Sequence, residues 1–245
     1  MSKERVFVVD RAAFFEGDWP QGYLQIEEPD TFLDRAWRLG RFVDRAQAEA
    51  EPAWKQWIPY CVLRCGDWSA GGDPAERGVL AVQRTSKGGE ARLHQSWSIG
   101  LGGHIEPVDD RANTEHPNAK TFFDMALQRE LREELRLPEA PLPPARLLGM
   151  INDDTTEVGR VHAGLAYCID LGWPLSTAQQ RVGIREVSKL HGGLTHLVDF
   201  AELWHTGCQF ETWSQLLIEA EIVGAMGGRS WSGATSAEGG GEAES

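Results

Sequence analysis

Glu130, Glu133 and Glu134 stand at i, i+3 and i+4 in the run ALQRELREELRL. On a helix of 3.6 residues per turn, all three carboxylates fall within about 100° of one face. Like charges at that spacing repel, and a hard, oxygen-seeking cation such as Mg²⁺ relieves the repulsion. Leu127, Leu131 and Leu135 form an adjoining apolar stripe, which predicts a helix seated on a core with its carboxylates on a rigid support. The bland alternative is a solvated helix in which Arg129 pairs with Glu133 and the other charges face water. Upstream, Gly102, Gly103, His104, Ile105 and Glu106 place two glycines just before an acidic loop. Backbone without side chains can approach a ligand closely there, which favours the metal reading.

The elements that must position this helix are legible by pattern. RVFVVD, residues 5–10, reads as a β-branched strand, and a helix is predicted from Thr31 to Ala50, capped by Asp30 or Thr31. Residues 1–55 are treated as an N-terminal extension packed on the main domain through the ordered loop GDWPQGYLQ. Strands are expected at IPYCVLRC from Ile58, at GVLAVQR from Gly78, at LLGMIND and VHAGLAYCIDL, and from Gly183 to Lys189. Helices are expected from Thr121 to Leu137 and from Glu211 to Ala225. Strands with interspersed helices indicate an α/β layered domain over residues 56–226. Residues 227–245 are almost wholly Gly, Ser, Ala and Glu, a composition expected to stay disordered.

Composition narrows the function classes. The 245 residues are 41% hydrophobic and 25% charged, enough for one large domain with a sizeable core. A net charge of −13 with no Lys/Arg cluster argues against a partner that is a nucleic-acid polymer, and an acidic protein acting on phosphates needs a cation between the charges. No apolar h-region opens the chain and no 18-residue apolar run occurs, so no membrane partner is expected and a cytoplasmic location is. Cys61, Cys65, Cys168 and Cys208 are too scattered for a disulfide framework and are expected as reduced thiols.

GGHIEPVDD followed by RELREELRL resembles the Nudix box: Gly, five residues, Glu, seven residues, then Arg-Glu-aliphatic-x-Glu-Glu-x-Gly-aliphatic. Gly103 fits the first glycine, Arg129, Glu130, Leu131, Glu133 and Glu134 the central run, and Leu137 the last aliphatic position. The pattern departs in three places. Asp109 stands where the first glutamate is expected, nineteen residues instead of seven separate it from Arg129, and Arg136 replaces the final glycine. The extra residues, RANTEHPNAK at 111–120, are polar and turn-prone and read as a loop insertion, with Thr121 and Asp124 able to cap the helix behind it. KQWIPYCVL, HQSWSIGLGGHIEP and the N-terminal extension are similar to a subgroup of predicted Nudix phosphoesterases.

The resemblance implies an α/β/α sandwich with a mixed sheet, and a hydrolase that cleaves a phosphoanhydride or phosphoester bond in a small nucleoside-diphosphate-type substrate or other phosphorylated metabolite. It implies Mg²⁺, with Mn²⁺ as a substitute, on Glu130, Glu133 and Glu134, and bracing of the loop by Gly103, Glu106 and Arg129. Glu133 or Glu134 could serve as the base, or Glu186 in VGIREVSKL, with Glu157 in its competitor turn DDTTEVGR. His104 and His162 are read as packed or hydrogen-bonded histidines, and Trp97, Phe122, Phe123 and Trp173 as packing residues. Competing readings are a non-catalytic ligand sensor or scaffold on the same fold, and a diphosphate isomerase, for which the cysteines lie outside the required motif. A homodimer is a further expectation, as the commonest soluble oligomer.

Overall fold

The structure is a computed structural model and describes residues 4–16, 18–69, 72–85, 96–112, 118–185, 187–220 and 222. In chain order the first elements are β1 (Arg5–Asp10), α1 (Arg11–Phe14), β2 (Gly22–Gln25), α2 (Pro29–Leu39), β3 (Gly40–Asp44) and α3 (Arg45–Ala50). The middle holds β4 (Trp54–Cys65), β5 (Gly78–Arg84), β6 (Trp97–Ser98), β7 (Gly100–Gly102), α4 (Pro107–Ala112), α5 (Ala119–Glu134), β8 (Leu135–Arg136) and β9 (Arg146–Asn152). The last are α6 (Glu157–Val161), β10 (His162–Asp170), α7 (Leu175–Arg181), β11 (Gly183–Ile184), β12 (Leu190–His196), α8 (Leu197–His205) and α9 (Thr212–Glu219).

One mixed sheet organises the molecule, in the order β12-β5-β4-β10-β9-β2, with β1 and β7 also paired to β4. Strand β4 is its axis. It runs parallel to β10 from Gln56↔His162 to Arg64↔Asp170, and antiparallel to β1 at one end and to β7 and β5 at the other. Because helices cover both faces, β4 reads as a nearly continuous buried run and its side chains alternate between two cores. Cys61 and Leu63 point to the side of α2 and α5, with Phe122, Phe123, Leu127 and Leu131. Tyr60 and Val62 point to the side of α8 and α9, with Phe200, Trp204, Leu217 and Ile218. The result is an α/β/α sandwich.

The N-terminal segment contributes to that sheet directly: β1 joins β4, β2 joins β9, and Phe7 packs edge-on against Phe122 of α5 at 4.9 Å. The helix expected across 31–50 is two helices with β3 between them. Gly40 explains the break: it caps α2 with extended φ, −84°, and the Phe7 ring fills the place a Cβ would take, so β3 can lie against β1. The start of α2 carries Pro29 in its first turn and no side-chain cap, so Asp30 and Thr31 do not cap it. The strand expected at 183–189 is the short β11, and the longer β12 follows it. The C-terminal helix ends at Glu219 with Ala220 as its cap, short of the expected Ala225. The tail from 227, with residues 113–117 of the insertion, lies outside the described residues. Among the described residues, no helix is long and apolar enough to cross a membrane.

Candidate functional site

Helix α5 is preceded by Asn118, whose side chain accepts the Thr121 backbone N–H at 2.8 Å, so the cap is Asn118 and not the Thr121–Asp124 pair. Its buried residues Phe122, Phe123, Ala126, Leu127 and Leu131 seat it on the sheet. It ends where Leu135 turns extended and pairs with Ile184, and where the Arg185 N–H reaches the Glu134 carbonyl at 2.8 Å. Without the family's final glycine, a strand pairing terminates the helix.

The three glutamates lie on this helix in graded exposure. Glu130 is mostly covered, Glu134 is half-buried and Glu133 faces solvent with its side chain 57% exposed. Burial pushes the Glu130 carboxyl up, Arg129 pulls it back, and the charges of Glu133 and Glu106 push it up again. Gly103 sits directly beside it: a Cβ at that position would collide with the Glu130 carboxylate.

Arg129 joins helix and loop. Its Nε and Nη2 donate to the two oxygens of Asp109 at 3.0 and 2.9 Å, and Nη2 also donates to the His104 carbonyl at 2.8 Å. Its Nη1 donates to Glu130 at 2.7 Å and to Glu133 at 3.3 Å. Asp109 is only 3% exposed and its Oδ2 also accepts the Glu106 backbone N–H at 2.8 Å. Burial opposes the guanidinium charge, but Asp109 and Glu130 outweigh it and raise its pKa further. The dozen extra residues therefore leave Asp109 and Arg129 in contact across them. Glu106 meets this network through its backbone.

The histidines read as packed or hydrogen-bonded come together in a polar cluster. His104 Nε2 and His162 Nε2 are 3.1 Å apart, and Glu49 Oε1 on α3 lies 3.9 Å from each. Burial, then the charges of Arg45, His162 and Arg129, lowers His104 to about 3, so its ring is neutral at physiological pH. His162 Nδ1 donates to the Val158 carbonyl at 2.8 Å. Glu49 carries no motif, and residues 49, 104 and 162 share no local spacing, so no sequence signal joins them.

The other candidates are placed as follows. Glu186 lies outside the described residues. Glu157 is exposed in the first turn of α6. Phe122 and Phe123 are fully buried, Trp97 bridges to Phe210, and Trp173 packs at the core edge under Arg181 at 5.0 Å. All four cysteines are free thiols; Cys61, Cys65 and Cys168 are buried, and burial raises the latter two to about 11. A cleft of about 420 Å³ beside the N-terminal half of α5 is lined by Lys120, Asp124, Arg146 and Tyr167 and by none of the three glutamates.

No family model matches the chain. It is 29% identical over 181 residues to Protein YmaB of Bacillus subtilis (strain 168), covering 73% of this chain and 77% of that protein. The crystal structure of Tm1382, a Nudix hydrolase by provisional assignment, superposes with a TM-score of 0.64 at 26% identity over 89% of this chain and 97% of that one. With the carboxylate helix seated on a mixed sheet and tied to a glycine loop by Arg129, this chain has the fold of the Nudix superfamily.

Proposed function

We propose that the chain is a Mg²⁺-dependent hydrolase that cleaves a phosphoanhydride or phosphoester bond in a small nucleoside-diphosphate-type substrate. The observation that carries this reading is the packing of Glu130 against Gly103 while Arg129 clamps the same loop through Asp109 and the His104 carbonyl. Three carboxylates on one rigid helix face suit a hard divalent cation, which takes oxygen ligands. The missing Cβ at Gly103 suits it too, because backbone and carboxylate share one small space there.

In this reading Glu130, Glu133 and Glu134 hold the cation, with Mn²⁺ able to replace Mg²⁺. The bound cation supplies charge shielding for the phosphates and lowers the pKa of a water. Arg129 has a positioning role: it donates to Glu130 and, through Asp109 and the His104 carbonyl, holds Gly103 to Glu106 in place. Glu133, the most exposed of the three and the one least committed to the cation, is the carboxylate that takes a proton from water at the substrate; Glu134 and Glu186 are its alternatives. Gly103, Glu106 and Arg129 brace the site.

Purified protein incubated with Mg²⁺ and a panel of nucleoside-diphosphate derivatives is expected to release phosphate-bearing products, with the rate falling at least about 100-fold in Glu133→Gln. Metal-independent turnover, or full activity in both Glu130→Gln and Glu133→Gln, overturns the assignment.

A further inference from the structure

We infer that His104, His162 and Glu49 form a cation site of their own, suited to an imidazole-preferring transition-metal ion of the zinc type and separate from the glutamate triad of α5. The three donor atoms form a triangle with sides of 3.1, 3.9 and 3.9 Å. The point equidistant from all three lies about 2.1 Å from each, as the circumradius of that triangle, which matches zinc–nitrogen and zinc–oxygen bond lengths. Two imidazoles and a carboxylate are also a donor set that Zn²⁺ takes with a position left open, whereas Mg²⁺ prefers oxygen alone.

The tautomer is set for ligation. A carbonyl only accepts, so the His162 Nδ1 that meets the Val158 carbonyl carries a proton, which leaves Nε2 as the ring atom able to present a lone pair to a cation. This is the outer-shell contact that orients metal-binding histidines. Both rings are mostly buried while Glu49 is 39% exposed, so the site has a covered floor and an open side for entry. A simple histidine pair, one Nε2–H donating to the other Nε2, accounts for the 3.1 Å separation, and Glu49 Oε1, which also accepts from Arg45 Nε at 3.5 Å, adds a carboxylate oxygen equally far from both rings.

The ion would tie parts of the chain that are remote in sequence. Glu49 is on α3 of the N-terminal segment, His104 follows the glycine that abuts Glu130, and His162 opens β10 beside β4. Arg45 stands near the cluster, 3.5 Å from Glu49, but it is itself paired with Glu4 at 2.7 Å, so the carboxylates offset its repulsion of a cation.

Equilibrium dialysis of the full chain against Zn²⁺ alone, with Mg²⁺ alone as the control, tests this. One Zn²⁺ per chain is expected, with a rise in Tm that grows with free Zn²⁺. Glu133→Gln is expected to keep that binding, which separates this site from the hydrolytic one. Glu49→Gln, a change on a solvent-facing helix that leaves folding intact, is expected to weaken it beyond the 10- to 100-fold typical of losing an outer-shell partner. His104→Gln should do the same. No Zn²⁺ retained, retention unchanged in Glu49→Gln, or loss in Glu133→Gln each overturns the proposal.

Discussion

Arg129 makes five side-chain hydrogen bonds to Asp109, His104, Glu130 and Glu133, which uses the flat, five-donor geometry of guanidinium in full. Its main partner, Asp109, has no other cation within reach among the described contacts and is almost completely covered. Arg129→Ala leaves that carboxylate buried and uncompensated, so urea unfolding at neutral pH is expected to show a loss of roughly 3–5 kcal/mol. Arg129→Lys restores the charge but not the fork, and should recover only part of it. A loss under about 1 kcal/mol in Arg129→Ala means that the loop relaxes to let water reach Asp109. The sequence could name Asp109 and Arg129 but could not join them, because the insertion between them changes their spacing without changing where α5 and α4 pack.

At the scale of elements, α5 and the loop after β7 have to meet closely, and Gly103 is the contact. In Gly103→Ala the new methyl meets the end of a flexible carboxylate, not rigid backbone, so Glu130 swings aside and the fold survives. Stability is expected to fall by about 1 kcal/mol as the Glu130–Arg129 pair loosens, while Mg²⁺ affinity and turnover fall together. A large drop in Tm with unchanged metal affinity would show that the loop, not the carboxylate, gives way. The other end of α5 makes a plainer prediction: Asn118→Ala removes the N-cap hydrogen bond and should cost about 1 kcal/mol in chemical denaturation.

Across the whole molecule, the N-terminal segment is fastened by a second ionic cluster, built around the buried Lys55. Lys55 of β4 is fully buried and donates to Asp154 at 2.7 Å and to the Gly159 and His162 carbonyls, and Arg11 makes a two-armed pair with the same carboxylate at 2.7 and 2.9 Å. Burial lowers Lys55 to about 8 despite Asp154. Burial also opposes the charge of Asp154, but Arg11, Lys55 and Asn152 outweigh it and hold this carboxyl well below the usual carboxylate range. The unfolded chain therefore binds a proton at Asp154 before the folded one does. The stability this group contributes is complete above the unfolded value of about 4 and is lost as pH falls toward the lower folded value. Urea midpoints measured from pH 6 downward should fall below about pH 4, and Asp154→Asn should flatten that decline while lowering stability at neutral pH. An unaltered slope in the variant assigns the acid sensitivity to other carboxylates.

Much of the fold and part of the site were legible because they are local. The 3.6-residue period of Leu127, Leu131 and Leu135 places α5, and the same period places Glu130, Glu133 and Glu134 on one face, so this helix and its carboxylates needed no tertiary information. The buried runs of β4, β5, β9 and β10 were readable for the same reason. What only the folded chain decides are contacts between distant segments. Gly40 breaks an otherwise helical stretch because Phe7 needs the space; Asp109 reaches Arg129 over the insertion; and β11 ends α5 where the glycine of the motif is absent. Glu49, His104 and His162 belong to this second group. Side chains 55 and 58 residues apart carry no mutual period, and their donor atoms converge only because α3, the loop after β7 and the start of β10 pack at one corner of the sheet.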